Sequence, residues 1–306
     1  MIDPSQVVLV ANDASETLAI KIASAMGLEY TALIRKQFSD GERYHAFPQS
    51  ISGKDLVIIG STHTDSSHQD VIDLILGGRY WNARSVNLVI PYLGYSTMER
   101  SKPGSYEIPK GITRTRQIFH ACPHFVAFVD LHSEAVLHAH GGDIGTKHVW
   151  TDQLVVDKIK EIGLKDYVLV SPDYGFSKRV ARIASLCNCP HTAADKDRYD
   201  TDKTIISSVS SVVKGKTAVI CDDMIRTGGS ILQTAERCLE AGAIDVQVLS
   251  THLVLSGTAR EKFAASPVTR VIGSDSYPGR EADDLFEVYS LAPLLAQVIE
   301  QRLKIV

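Results

Sequence analysis

The segment "CDDMIRTGGS" (221–230) follows the apolar run "TAVI" (217–220) and leads into "ILQTAERCLEAGA" (231–243). Two adjacent acids therefore end a buried strand, and a turn of small residues opens a helix. Side by side, Asp222 and Asp223 repel each other unless something cationic or hydroxyl-rich joins them, which places them where a polyol or a metal could be gripped. Thr227, Gly228, Gly229 and Ser230 then supply a close-approach turn, free helix-start amides and hydroxyl donors, the ingredients of an anion cradle. An ordinary turn capped by Ser230 would use the same four residues. The adjoining acid pair favours the ligand reading.

Working outward, short apolar runs alternate with helical-period segments along the whole chain. "VVLVAND" (7–13) leads into "SETLAIKIASAMG" (15–27), "DLVIIGST" (55–62) into "QDVIDLILGGRYW" (69–81), and "VNLVIPY" (86–92) and "FVAFVDLH" (125–132) come next. After residue 150 the alternation restarts with "YVLVSPD" (167–173), "TAVICDD" (217–223) and "VQVLSTHLV" (246–254), each ahead of a helical stretch. Strands that alternate with helices predict parallel sheets covered on both faces, and in such sheets ligands sit beyond the carboxyl ends of the strands. "DLH" (130–132), "SPDYG" (171–175) and the opening segment all follow apolar runs, so their polar side chains are expected on strand-end loops. "FSDGE" (38–42) and "DKDR" (195–198) also read as loops. The restart alone sets a boundary near residue 150.

The 306 residues allow one large domain or two average ones, and an apolar fraction of 44% can bury a sizeable core. A formal net charge of −4 offers no basic field for nucleic acid or an anionic membrane surface. Five cysteines, of which Cys187 and Cys189 form a C-x-C, suggest reduced thiols rather than a disulfide framework or a zinc ribbon. No apolar run approaches the roughly 20 residues of a spanning helix, so the expectation is a cytoplasmic protein handling small ligands. "KGKT" (214–217) has only the tail of a Walker A motif and reads as a turn into a strand. No G-x-G-x-x-G follows the first strand, and neither H-E-x-x-H nor G-x-S-x-G occurs, which removes support for hydride transfer, zinc peptidase and serine hydrolase chemistry.

With these residues in place, the chain resembles the ribose-phosphate pyrophosphokinase, or phosphoribosyl pyrophosphate synthetase, family. "CDDMIRTGGS" is similar to the ribose-phosphate loop of the type I phosphoribosyltransferase fold. "FSDGE", "IPYLGYS" (90–96), "DLH", "SPDYG", "DKDR" and "STHLVLSG" (250–257) stand in the family's order. The resemblance implies an α/β chain of two tandem type I phosphoribosyltransferase-like domains, 1–150 and 151–289, each a mostly parallel sheet flanked by helices. A C-terminal helix at about 290–306 would pack back on the first. It also implies Mg²⁺-dependent transfer of the β,γ-diphosphoryl group of ATP to the anomeric hydroxyl of ribose 5-phosphate. Lys196 and Arg198 match the catalytic Lys-x-Arg, whose cations would neutralise charge on the transferring group. His132 and Asp173 match positions around Mg²⁺. Asp222 and Asp223 become acceptors for the ribose hydroxyls, with Arg226, Thr227, Gly228, Gly229 and Ser230 around its 5-phosphate. Asp40 and Glu42 resemble the segment that reaches the adenine ring from a neighbouring subunit, which implies a homo-oligomer of dimer-built active sites and a hexamer.

Two departures from the family pattern affect specificity. Where the family carries Arg-Gln to contact ATP, Thr97 and Met98 precede Glu99 and Arg100; Met98 can pack on a purine, but neither residue brings the cation. Arg226 replaces the usual third acid of the ribose-phosphate loop, a charge reversal that would strengthen anion binding or admit an additional phosphate. The rivals to ribose 5-phosphate as acceptor are therefore a larger ribosyl group such as ADP-ribose, a non-catalytic synthetase-associated regulator, and a transferase that consumes the activated sugar. The loop "MERSKPGSYEIPKG" (98–111), with two Pro and two Gly and no apolar period, is expected to act as a flap over the nucleotide.

Overall fold

The computed structural model describes residues 3–198 and 204–304, with only the backbone of 195–198 and 204–208. It divides into two compact units, one comprising the chain up to Val149 with Ser276–Gly279 and the stretch from Ser290, the other Trp150–Asp275 with Arg280–Tyr289.

The first unit begins with β1 (Val7–Ala11), α1 (Glu16–Ala25), β2 (Ile34–Gln37), β3 (Arg43–Ala46) and β4 (Asp55–Ile59). It continues through α2 (Asp65–Tyr80), β5 (Ser85–Ile90), α3 (Lys110–His120), β6 (Phe125–Val129) and β7 (Gly145–Val149). Its main sheet is parallel throughout, in the order β1-β4-β5-β6-β7. Every residue of β4 and β5 is buried, the signature of central strands covered on both faces. Val10, Ile58, Leu88 and Phe128 line one face and pack against Leu74 and Ile75 of α2 and Ile118 and Phe119 of α3. Helix α2 starts where it does because the Thr64 hydroxyl accepts the Ser67 amide at 3.1 Å.

The second unit begins with α4 (Asp152–Ile162), β8 (Tyr167–Ser171), α5 (Tyr174–Cys187), β9 (His191–Ala193), β10 (Asp195–Arg198) and β11 (Thr204–Ser208). It continues through β12 (Thr217–Ile225), α6 (Gly229–Glu240), β13 (Asp245–Leu253), α7 (Ala259–Ala264), β14 (Arg270–Ser274) and β15 (Phe286–Tyr289). Six strands form a parallel sheet in the order β15-β14-β13-β12-β8-β9. One face packs under α6 through Ile220, Val248, Ile231 and Ala235, the other under α4 and α5 through Val219, Leu249, Val156 and Ile183. The chain then returns to the first unit as α8 (Ala292–Leu303), which packs on α1. Arg302 of α8 donates to Asn87 Oδ1 at 3.1 Å and lies over the Phe125 ring.

Two local expectations change. "DKDR" is a strand, β10, paired antiparallel with β11 in a separate two-stranded ribbon, rather than a loop. β12 also runs on to Ile225, so Asp222 and Asp223 belong to the strand itself, because Met224 and Ile225 after them are buried and extend the ladder with β13.

Candidate active site

Strand order decides where a ligand can enter. In the first unit the main sheet grows in one direction from β1 to β7. In the second, β9 lies on one side of β8 while β12 lies on the other, so the winding reverses between β8 and β12. A crevice opens beyond the carboxyl ends of strands at such a reversal. Asp173, two residues beyond β8, and Asp222 and Asp223, near the end of β12, stand at that position. Asp222 keeps part of its residue surface exposed, while its carboxyl group is surrounded by protein atoms. Desolvation first, and then the negative charges of Asp223 and Asp173, raise that carboxyl well above the usual carboxylate range. A site that concentrates three carboxyl groups favours a ligand bringing hydroxyls or positive charge.

Asp173 has a second task that its sequence context did not reveal. It caps α5, accepting the Phe176 amide at 3.2 Å, while the Ser171 hydroxyl donates to its carbonyl at 2.6 Å. The cap fixes the carboxylate beside the site by a bond the helix needs anyway.

Beyond β12, Arg226 and Thr227 are exposed, Gly228 is buried, and Gly229 and Ser230 begin α6 half-buried. Gly228 takes φ +77° and accepts the Leu232 amide at 2.9 Å, so the first-turn amides of α6 stay outside the intrahelical ladder. The turn is held from both sides. A Cβ on Gly228 would come within 2.6 Å of Phe263 Cε2, and the amides of Leu255 and Ser256 donate to the carbonyls of Ile225 and Arg226, both at 2.9 Å. Leu255 pays for this turn with φ +43°, a left-handed conformation sparsely populated by non-glycine residues. "STHLVLSG" thus braces the cradle, a role that spacing alone did not disclose.

Lys196 and Arg198 fall on β10, opposite Ile206 and Thr204 of β11; their side chains lie outside the described residues. In the first unit, His132 is exposed just past β6, after Asp130, which is buried at φ +37°. Backbone strain of this kind recurs at functional strand ends. The neighbouring Leu131 amide donates to His148 Nε2 at 2.9 Å, so His148 is a brace of this corner.

The other nucleotide candidates lie on two projections of the first unit. Asp40 and Glu42 form the tip of the β2–β3 hairpin, where the Glu42 amide donates to Asp40 Oδ1 at 3.1 Å. Two-stranded hairpins are marginally stable alone, and arginines fasten this one. Arg35 pairs with Asp13 at 2.5 Å and donates to the Ala11 carbonyl at 2.7 Å, and Arg43 pairs with Asp13 and with buried Asp70. The second projection is the loop carrying Thr97, Met98 and Arg100. Its neck is closed by the Gly111 amide donating to the Met98 carbonyl at 2.9 Å, an approach that a side chain at Gly111 would block against the Tyr95 carbonyl. Its tip is tied by Ser101 Oγ donating to the Glu107 carbonyl at 2.6 Å, and Arg100 stands 88% exposed on its rim.

Known proteins match this arrangement over nearly its whole length. Residues 7–109 match the N-terminal domain of ribose phosphate pyrophosphokinase, and residues 151–277 match the phosphoribosyl transferase domain. Ribose-phosphate pyrophosphokinases of Gloeobacter violaceus and Caldanaerobacter subterraneus subsp. tengcongensis are 33% and 32% identical. The alignments cover 95% and 92% of this chain and 88% and 90% of theirs. The crystal structure of phosphoribosylpyrophosphate synthetase from Mycobacterium smegmatis superposes with a TM-score of 0.87 at 26% identity, covering 98% of this chain and all of that one. Two phosphoribosyltransferase-like α/β domains in tandem, a strand-end acid pair above a helix-start cradle, and identity of this extent make the chain a member of the ribose-phosphate pyrophosphokinase family.

Proposed function

We propose that the chain is a ribose-phosphate diphosphokinase that joins ATP and ribose 5-phosphate to give phosphoribosyl pyrophosphate and AMP. The observation that carries this reading is the acid pair Asp222/Asp223 beside the α6 cradle at the switch point of a family-matched domain. Asp222 and Asp223 accept hydrogen bonds from the ribose 2- and 3-hydroxyls. Thr227 to Ser230 hold its 5-phosphate with helix-start amides and hydroxyls. The anomeric oxygen attacks the β-phosphorus of ATP and AMP leaves, while Lys196 and Arg198 offset the charge on the transferring group. Asp40, Glu42, Thr97, Met98 and Arg100 contact ATP, the first two from a neighbouring copy in a dimer-built hexamer.

The donor set suits Mg²⁺. Among the described residues no three His, Cys, Asp or Glu side chains are arranged to enclose a metal ion, whereas carboxylate oxygens crowd the switch point. Mg²⁺ keeps several waters and commonly binds through one or two carboxylates plus substrate phosphates, so such a site need not be an all-protein cage. Asp173 and His132 are its proposed protein contacts, and when bound it supplies charge neutralisation to the diphosphoryl group. The boundary between the proposed domains falls near residue 150, and the proposed location is the cytoplasm. Among the described residues no helix is long and apolar enough to cross a membrane.

Purified protein with ATP, Mg²⁺ and ribose 5-phosphate should release AMP. Absence of AMP above background with any ribosyl phosphate rejects the reading. Arg226, exposed on the cradle loop, bears on the acceptor. Arg226→Asp should change KM for ribose 5-phosphate only a few-fold, but should cost an acceptor with an additional phosphate about 10²-fold in kcat/KM, from a lost charge-assisted contact and new repulsion. Wild type that converts ribose 5-phosphate and ignores ADP-ribose removes the larger-acceptor alternative.

A further inference from the structure

Ser250 is an unexplained polar residue beside the acid pair. It lies on β13 directly opposite Asp222 of β12, its residue surface is 0% exposed, and among the described residues its hydroxyl has no hydrogen-bond partner. Buried hydroxyls are nearly always paired, and one that is not calls for a reason. Alternation along the two strands puts Asp222 and Ser250 on the face that also carries Ile220 and Val248, beneath α6. The pairing of β13 with β14 shifts register between Leu249 and His252, an irregularity that spans Ser250 and Thr251. Such breaks in a ladder re-aim side chains and are frequent beside active sites.

We propose that Ser250 is a positioning residue for the acceptor site, its hydroxyl donating to the Asp222 carboxylate when that carboxylate turns to the ribose hydroxyls. This rests on the assignment of Asp222 to the acceptor. In the free protein that carboxyl group accepts the Asp223 amide, at 2.9 Å to Oδ1, and also shares a hydrogen bond with the Asp223 side chain, both on its own strand. A second donor on the adjacent strand fixes the carboxylate's rotation, so both of its oxygens are oriented before the sugar arrives. The hydroxyl is idle in the free protein because its partner is provided by the bound geometry.

The test is Ser250→Ala, alone and combined with Asp222→Asn. Removing an unpartnered buried hydroxyl is neutral or stabilising, so the melting temperature should hold or rise, while KM for ribose 5-phosphate rises about 3- to 10-fold. KM for ATP should stay within twofold. In the double variant, Ser250→Ala should add less than twofold, because the carboxylate it orients is gone. Unchanged KM for ribose 5-phosphate in Ser250→Ala overturns the inference, as does a full additional loss in the double variant or an equal rise in both KM values with a lower melting temperature. Ribose 5-phosphate binding by calorimetry separates this from the parent reading. Wild type that neither binds nor converts the sugar overturns both, whereas wild type that does, with Ser250→Ala indistinguishable from it, overturns the role of Ser250 alone.

Discussion

Lys196→Ala is expected to lower kcat by about 10²-fold or more, with KM for each substrate within a few-fold and the melting temperature unchanged. The chemistry asks the protein for little covalent work. A diphosphoryl group passing between two oxygens concentrates negative charge, and the rate depends on fixed positive charge aimed at it. Lys196 sits on β10 of a two-stranded ribbon that is hydrogen-bonded separately from the six-stranded sheet, so its replacement leaves the parallel ladder intact. Arg198 is two positions along the same strand. The double variant should therefore lose less than the product of the two single losses, since the proposed mechanism has both cations serve one group. Lys196→Ala with wild-type turnover would remove this residue from the mechanism.

Gly228→Ala should both destabilise the second unit and spoil acceptor binding. The native φ of +77° costs a side-chain-bearing residue about 1–2 kcal/mol. The added methyl would also press to 2.6 Å on a Phe263 ring that is fully buried and edge-packed on Phe286, and such overpacking costs about 1–3 kcal/mol. A loss of about 2–5 kcal/mol in denaturant unfolding follows from the two together, along with a markedly raised KM for ribose 5-phosphate, since the turn cannot keep its amides aimed. Phe263→Leu in the Gly228→Ala background should recover part of the packing loss and none of the backbone cost. An unfolding midpoint equal to wild type would mean that the turn relaxes freely and is not a rigid cradle.

Sequence periodicity was enough for the alternating strands and helices because each of those segments carries its own pattern. The apolar runs at 7–13, 55–62 and 125–132 contain β1, β4 and β6, the run at 86–92 holds all of β5 but its first residue, and "FSKRVARIASL" lies within α5. The signals failed where a partner, rather than the segment, sets the conformation. β10 reads as a charged loop until β11 pairs with it, and the end of β12 reads as a turn until β13 extends the ladder through Asp222 to Ile225. The hairpin β2–β3 has no apolar alternation to announce it; it is held by Arg35 and Arg43 on Asp13 and Asp70, contacts that span tens of residues.

The candidate site divides in the same way. Residue type and order determined on their own that acids, glycines and hydroxyls follow one apolar run and that a Lys-x-Arg precedes them, because these are properties of short contiguous segments; diphosphoryl transfer came only as what the resemblance to the ribose-phosphate pyrophosphokinase family implies. Only the tertiary structure decided that the winding reverses between β8 and β12, bringing the charge of Asp173 to bear on Asp222, and that Ser250 is buried opposite that acid. It alone decided that Phe263 pins the cradle glycine. The physical reason is range: propensity and capping act over a few residues, whereas desolvation, electrostatic coupling and strand register depend on which distant segments are neighbours in space.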